Sequence, residues 1–229
     1  MRIRSRPCCV VLVVASLAAV LVSAGSASAA TRPHPNTVCC GGGGSYTNYS
    51  AVVNYALNYA GSYLGTDSFI GWNPEYINEG NDCTNFVSQA LHAGGWTNSS
   101  AYNQWWYFDD DPGHEDYPLD QFSTSWINVQ AFVTFAYDSG RGIFINSGAK
   151  AANANWAQVV PGDILMVDWT GDGSLDHMMI VTSTSGKAWG QVKLSDIKIT
   201  QHTTNRKNYA LTNDTSAYPN SKWWIMEPY

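Results

Sequence analysis

Residues 81–91 read Asn81-Asp82-Cys83-Thr84-Asn85-Phe86-Val87-Ser88-Gln89-Ala90-Leu91, and Gly94-Gly95-Trp96 follow two residues later. Phe86, Val87, Ala90 and Leu91 recur at three- and four-residue spacing, which predicts an amphipathic helix over 82–93. Asp82 stands where an N-cap belongs, and the paired glycines stop the helix. Cys83 then falls in the first turn, outside the apolar stripe. There the unpaired backbone N–H groups and the helix dipole favour thiolate over thiol. The same groups, the N–H of Cys83 first, can hold the oxyanion that forms when sulfur attacks a carbonyl carbon.

Upstream, Val52, Val53, Ala56, Tyr59, Ala60 and Tyr63 keep helical spacing from Tyr49, and this helix should end around Gly61 to Gly65. Gly71-Trp72-Asn73-Pro74 makes a turn. Downstream, 97–122 reads as a long irregular surface segment with Trp105, Trp106 and Tyr107 beside Asp109-Asp110-Asp111. Ser125 caps a third predicted helix, in which Trp126, Val129, Phe132, Val133 and Ala136 hold the spacing until Gly140. The period then changes. Residues 164–169, 177–182, 189–194 and 197–202 are short runs rich in Val, Ile, Met and Trp, separated by Gly, Ser and Asp, as in antiparallel strands. Trp223-Trp224-Ile225-Met226 closes the sheet. Helices first and strands later predict an α+β domain, with N-terminal helices packed on an antiparallel sheet.

The chain ahead of this domain reads as an address. Arg2, Arg4 and Arg6 precede an apolar run from Val10 to Val22, and Ser23 to Ala30 is almost wholly small residues, so 1–29 is expected to be a signal peptide cleaved after Ala29. Residues 30–45, with Pro33, Pro35 and Gly41 to Gly44, form a flexible linker or short pro-segment. The domain proper is 46–229, and the expected product is a secreted, extracellular monomer without stable membrane insertion. Cleavage leaves three of the five cysteines, too few for a disulfide scaffold. Cys39 and Cys40 lie in the linker, so Cys83 is the odd thiol. Cleavage also leaves nine basic against eighteen acidic residues, which disfavours nucleic acid and anionic membrane as partners because phosphate binding needs clustered positive charge, and no nucleic-acid partner is expected. No cofactor or metal is expected. The acids of Asp168-Trp169-Thr170-Gly171-Asp172-Gly173-Ser174-Leu175-Asp176 fall partly as in a calcium loop, yet the twelfth position is Met179 and Asp-Gly between two strands is a hairpin signal.

A thiolate nucleophile needs a base brought near by the fold. Of the five histidines, His34 lies in the linker, His114 in an acidic loop, and His92 about two and a half turns along the helix from Cys83. His177 opens the apolar strand His177-Met178-Met179-Ile180-Val181, where an imidazole can face a cleft.

The segment around Cys83 resembles the nucleophile helix of bacterial "putative amidase" domains, relatives of NlpC-type and CHAP cell-wall hydrolases in the papain-like superfamily. Tyr49 to Tyr59, Ser125-Trp126, Pro161-Gly162-Asp163-Ile164, Asp176-His177-Met178-Met179-Ile180-Val181 and Gln201-His202-Thr203-Thr204-Asn205 are similar to further segments of that family, in the same order. The resemblance implies a papain-like (NlpC-type) fold and a cysteine amidase or peptidase without a cofactor, acting on amide bonds in cell-wall peptides. It implies Cys83 as nucleophile and His177 as base. A third polar group should orient the imidazole, and His202 on the Lys198/Thr200/His202 face takes that role, with Asn205 second. Asp82 is then a cap. Asn81, Trp72, Trp105 and Trp106 are the candidate substrate-binding residues. A non-catalytic module that stacks wall carbohydrate on these aromatics is the alternative, and it does not require Cys83.

Overall fold

The computed structural model describes residues 47–61, 71–76, 81–101, 104–109 and 121–229. The expected signal peptide over 1–29, the expected linker over 30–45 and, with it, Cys39 and Cys40 lie outside them. Asn48 starts helix α1 (Tyr49–Tyr59) by accepting the backbone N–H of Ala51 at 3.1 Å. Helix α2 (Cys83–Ala93) has Asp82 at its N-cap position, but the Asp82 side chain accepts no backbone N–H of the first turn, only the side-chain amide of Asn85, which corrects the expected capping role. Gly94 and Gly95 end α2 as expected, their N–H groups bonding to Ala90 and His92 carbonyls.

The segment read as irregular carries two small ladders. β1 (Ser99–Ala101) pairs with β2 (Gln104–Trp106), and β3 (Phe108–Asp109) with β4 (Gln121–Phe122). The third predicted helix is two: α3 (Thr124–Ile127) ends at Asn128, whose extended backbone breaks the run and whose side chain caps α4 (Val129–Asp138) through the N–H of Ala131. Ser125 is not a cap, since its hydroxyl donates to the carbonyl of Trp105.

Six strands and one α-helix follow, with short 3-10 turns between them: β5 (Gly142–Lys150), β6 (Ile164–Asp168), β7 (His177–Ser183), β8 (Lys198–Gln201), β9 (Arg206–Ala210), α5 (Leu211–Ala217) and β10 (Lys222–Pro228). The six strands form one antiparallel sheet in the order β5-β10-β6-β7-β8-β9. The last strand is therefore interior, between β5 and β6. The expected strand over 189–194 is absent: Gly190 adopts φ +83° and bonds to the Ala157 carbonyl, which breaks the extended run. The chain is thus α+β with an antiparallel sheet, as its element order predicts.

Alternation along the strands divides the interior in two. Ile164, Met166, Met178, Ile180 and Met226 face α1, α2 and α4, meeting Val52, Phe86, Leu91 and Phe132. Leu165, Val167, Met179, Val181, Ile199 and Ile225 point to the other face, under Trp156, Val192 and Leu211. Each such side chain contributes about 1.5–3 kcal/mol on burial, so β6 and β7 are held from both sides. Gly162 enters β6 at φ +100°, and a Cβ there would come within 2.3 Å of the Tyr49 ring, so only glycine lets α1 and this strand meet.

The acidic hairpin between β6 and β7 is organised by its own first residue. Asp168 accepts the backbone N–H groups of Gly171, Asp172 and Gly173. Burial pushes this carboxyl up, but those N–H groups outweigh it and hold it below its ordinary value. Among the described residues no helix is long and apolar enough to cross a membrane.

Candidate active site

Cys83, a free thiol, is the first residue of α2 and is 3% exposed. Its sulfur lies 3.8 Å from the Thr84 hydroxyl and faces the backbone N–H of Met178 on β7. Burial pushes the thiol above its ordinary value; the Met178 and Thr84 donors work against this, and the charge of Asp82 adds to it. The helix-terminus argument for a depressed thiol is therefore corrected: packing against β7 removes the water that a thiolate needs.

His177 is directly opposite Val167, and so shares the sheet face of Met179 and Val181. Its ring stacks on Trp169 at 6.0 Å, and its Nε2 is buried without a hydrogen-bond partner. Burial lowers its pKa to about 4, Gln201 acts in the opposite direction, and the Arg206 charge adds to the lowering. The imidazole is accordingly neutral near pH 7. Gln201 is buried on the same face, with its Nε2 donating to the Thr204 carbonyl at 3.3 Å.

This burial has a consequence for stability. Below pH 6.5 the unfolded chain takes up a proton that folded His177 refuses until about pH 4. The folded state therefore loses stability as pH falls through that window, by about 3 kcal/mol at its lower end. Urea midpoints at pH 7 and pH 4 should show a smaller acid loss in His177→Gln than in the parent; equal losses would contradict the buried, neutral imidazole.

His202 is not with His177. It alternates onto the helix-facing side, where Nδ1 meets Asp82 Oδ2 at 2.6 Å and Nε2 meets the Tyr59 carbonyl at 2.7 Å. Its ring is stacked between Phe86 at 3.9 Å and Trp72 at 4.5 Å. Both nitrogens are committed, so His202 does not orient the His177 ring. Asn205 lies half-buried in the turn between β8 and β9. Gln201, missed by the sequence reading, is the side chain that acts on His177. Its signal was the register: Val181 pairs with Ile199, which places residue 201 and not 202 on the face of His177.

Asn81 is exposed just before α2, and Trp72 is half-buried against His202. Trp105 is 55% exposed and borders an open pocket of about 470 Å³ with Ser123, Thr134 and Phe135. Trp106 is fully buried, its Nε1 donating to the Ser88 hydroxyl. It belongs to the core and not to a binding face, because alternation along β2 turns one of two neighbouring tryptophans inward.

A family model described as "Putative amidase domain" matches residues 46–226. The chain is similar to the uncharacterized protein YhbB of Bacillus subtilis strain 168, at 29% identity over 64% of this chain and 41% of that one. It is also similar to the uncharacterized protein YjcM of the same strain, at 28% identity over 56% of this chain and 25% of that one. The chain thus spans less than half the length of either relative. No solved structure matches it.

Proposed function

This chain belongs to the "putative amidase domain" family, and from that premise we propose that it is a secreted cysteine hydrolase of amide bonds, of papain-like, NlpC-related type. Its substrates are peptide cross-links or stem amides of the bacterial cell wall. It acts as a monomer, without cofactor. The reading is supported by the family match and by a free, buried thiol in the first turn of α2, facing the backbone N–H of Met178; His177, the base the resemblance implies, stands on the sheet face away from α2 and does not touch the thiol in this structure.

For Cys83 Sγ to attack the carbonyl carbon with its proton passing to His177 Nε2, the imidazole must swing round the first residue of β7 to the α2 side, because in the structure it lies on the opposite face; the N–H of Cys83 then receives the oxyanion. The intermediate collapses to a thioester, and the amine leaves with the proton from Nε2. Water then attacks the thioester, giving its proton to Nε2, and the acid departs as that proton returns to sulfur. Gln201, buried on the face of His177 with an unpartnered Oε1, is the candidate for the third position. Since the resting pair is thiol and neutral imidazole, proton transfer belongs to the substrate complex. In the free chain, iodoacetamide should label Cys83 slowly at pH 7 and faster only above the ordinary thiol range, as peptide mass reports.

The direct test is incubation of the chain from residue 30 with cell-wall muropeptides, followed by mass spectrometry. The expected result is a pair of products that together exceed the substrate by one water, with a new amine. Binding without turnover would overturn this reading in favour of a carbohydrate-binding module; with Trp106 in the core and Trp72 against His202, Trp105 is the exposed one of the three candidate tryptophans.

A further inference from the structure

Asp82 and His202 form a buried acid–imidazole pair next to the nucleophile that the proton transfers above do not use. A carbonyl can only accept, so the His202 Nε2 that meets the Tyr59 carbonyl carries a proton. The 2.6 Å contact between Nδ1 and Oδ2 then holds one more proton, shared between imidazole and carboxylate. Whichever atom bears it, the pair as a whole is neutral. The same turn grips α2 a second time, since the backbone N–H of Asp82 donates to Thr203 Oγ1 at 2.8 Å. On the other side, Asp82 Oδ1 accepts from Asn85, whose own Oδ1 accepts from Trp126 Nε1 at 2.7 Å. A buried string of hydrogen bonds thus ties the start of α2 to the end of α1, to α3 and to the turn after β8.

We propose that His202 is a positioning residue of the nucleophile, acting through Asp82: its proton cancels the carboxylate charge beside Cys83, and its two ring nitrogens fix the end of α1 against the start of α2. The inference rests on Cys83 being the nucleophile. The charge of Asp82 acts on Cys83 against the thiolate, and so against the negative charge that builds on sulfur during attack. An uncompensated carboxylate at position 82 would oppose that step; a neutral pair does not. The groups facing the pair are Asn85 and Phe86 of α2, the Tyr59 carbonyl and Tyr55 phenol of α1, Trp72, and Thr203. Of these Tyr55 titrates, and burial pushes it far up, so it stays neutral and adds no charge.

The test follows the pH midpoint of Cys83 alkylation by iodoacetamide, read by peptide mass, in four chains: the parent, His202→Gln, Asp82→Asn and the double variant. His202→Gln should move the midpoint up by about one pH unit, and the double variant should return it to the parent value or below. A midpoint unmoved in His202→Gln, or equally raised in the double variant, overturns the proposal, because a purely structural contact is not rescued by removing its second partner. Should His202→Gln fail to fold, Asp82→Asn decides. Its amide can donate to Nδ1 while Nε2 keeps the Tyr59 carbonyl, so the site stays neutral and its midpoint should stay at the parent value; a midpoint that falls by about a unit would show the carboxylate uncompensated in the parent and overturn the proposal. The readout needs no substrate. The predicted shifts in a chain that hydrolyses no wall peptide would keep the pair and discard the hydrolase.

Discussion

On the proposed mechanism, Cys83→Ala should give a folded chain with no measurable amide hydrolysis. The substitution removes the atom that forms the covalent bond, so turnover should drop by about four orders of magnitude or more. Stability should change by about 1 kcal/mol, because one small buried group is lost from a site with no ionic partner of its own. His177→Ala takes away the proposed base but leaves the proposed nucleophile and the N–H of Cys83, and its loss should be smaller, about 10²- to 10⁴-fold. Progress curves on a single muropeptide, with thermal melts of each variant, separate these outcomes from unfolding. Turnover that survives in Cys83→Ala would move the nucleophile elsewhere and sink the thiol mechanism.

The position of Cys83 was readable because helical spacing and the glycine stop fix α2 to within a residue. Its environment was not. What covers the sulfur is β7 around Met178, 95 residues later in the chain, and the burial this brings, against which the Met178 N–H itself works, reverses the pKa argument drawn from the helix terminus. The role of His202 failed for a related reason. β7 is apolar on both faces, so alternation along His177-Met178-Met179-Ile180-Val181 gives no cue to which side the imidazole takes. The pairing of β7 with β8 decides it, and it puts Gln201 with His177 and His202 with Asp82. Among the elements, β5 and β9 escaped notice because Gly142–Lys150 and Arg206–Ala210 carry no clean alternation. Their places come from edge pairing with β10 and β8.

His202→Ala should be the most destabilising substitution in the site, at about 3–5 kcal/mol. Asp82 is 1% exposed, and the substitution strands its carboxylate without the imidazole that shares its proton. It also leaves the Tyr59 carbonyl without its donor at the end of α1, and opens a gap between the rings of Phe86 and Trp72. At about 2–4 °C per kcal/mol for a chain of this size, the melting temperature should fall by roughly 10 °C. Asp82→Asn should cost far less, since the amide can donate to Nδ1 and still accept from Asn85. The ordering is the discriminating result. Equal losses would mean that shape alone holds this junction, whereas a large loss confined to the imidazole side shows that the buried carboxylate depends on His202 for its charge balance, which is the condition under which Cys83 can accept negative charge beside it.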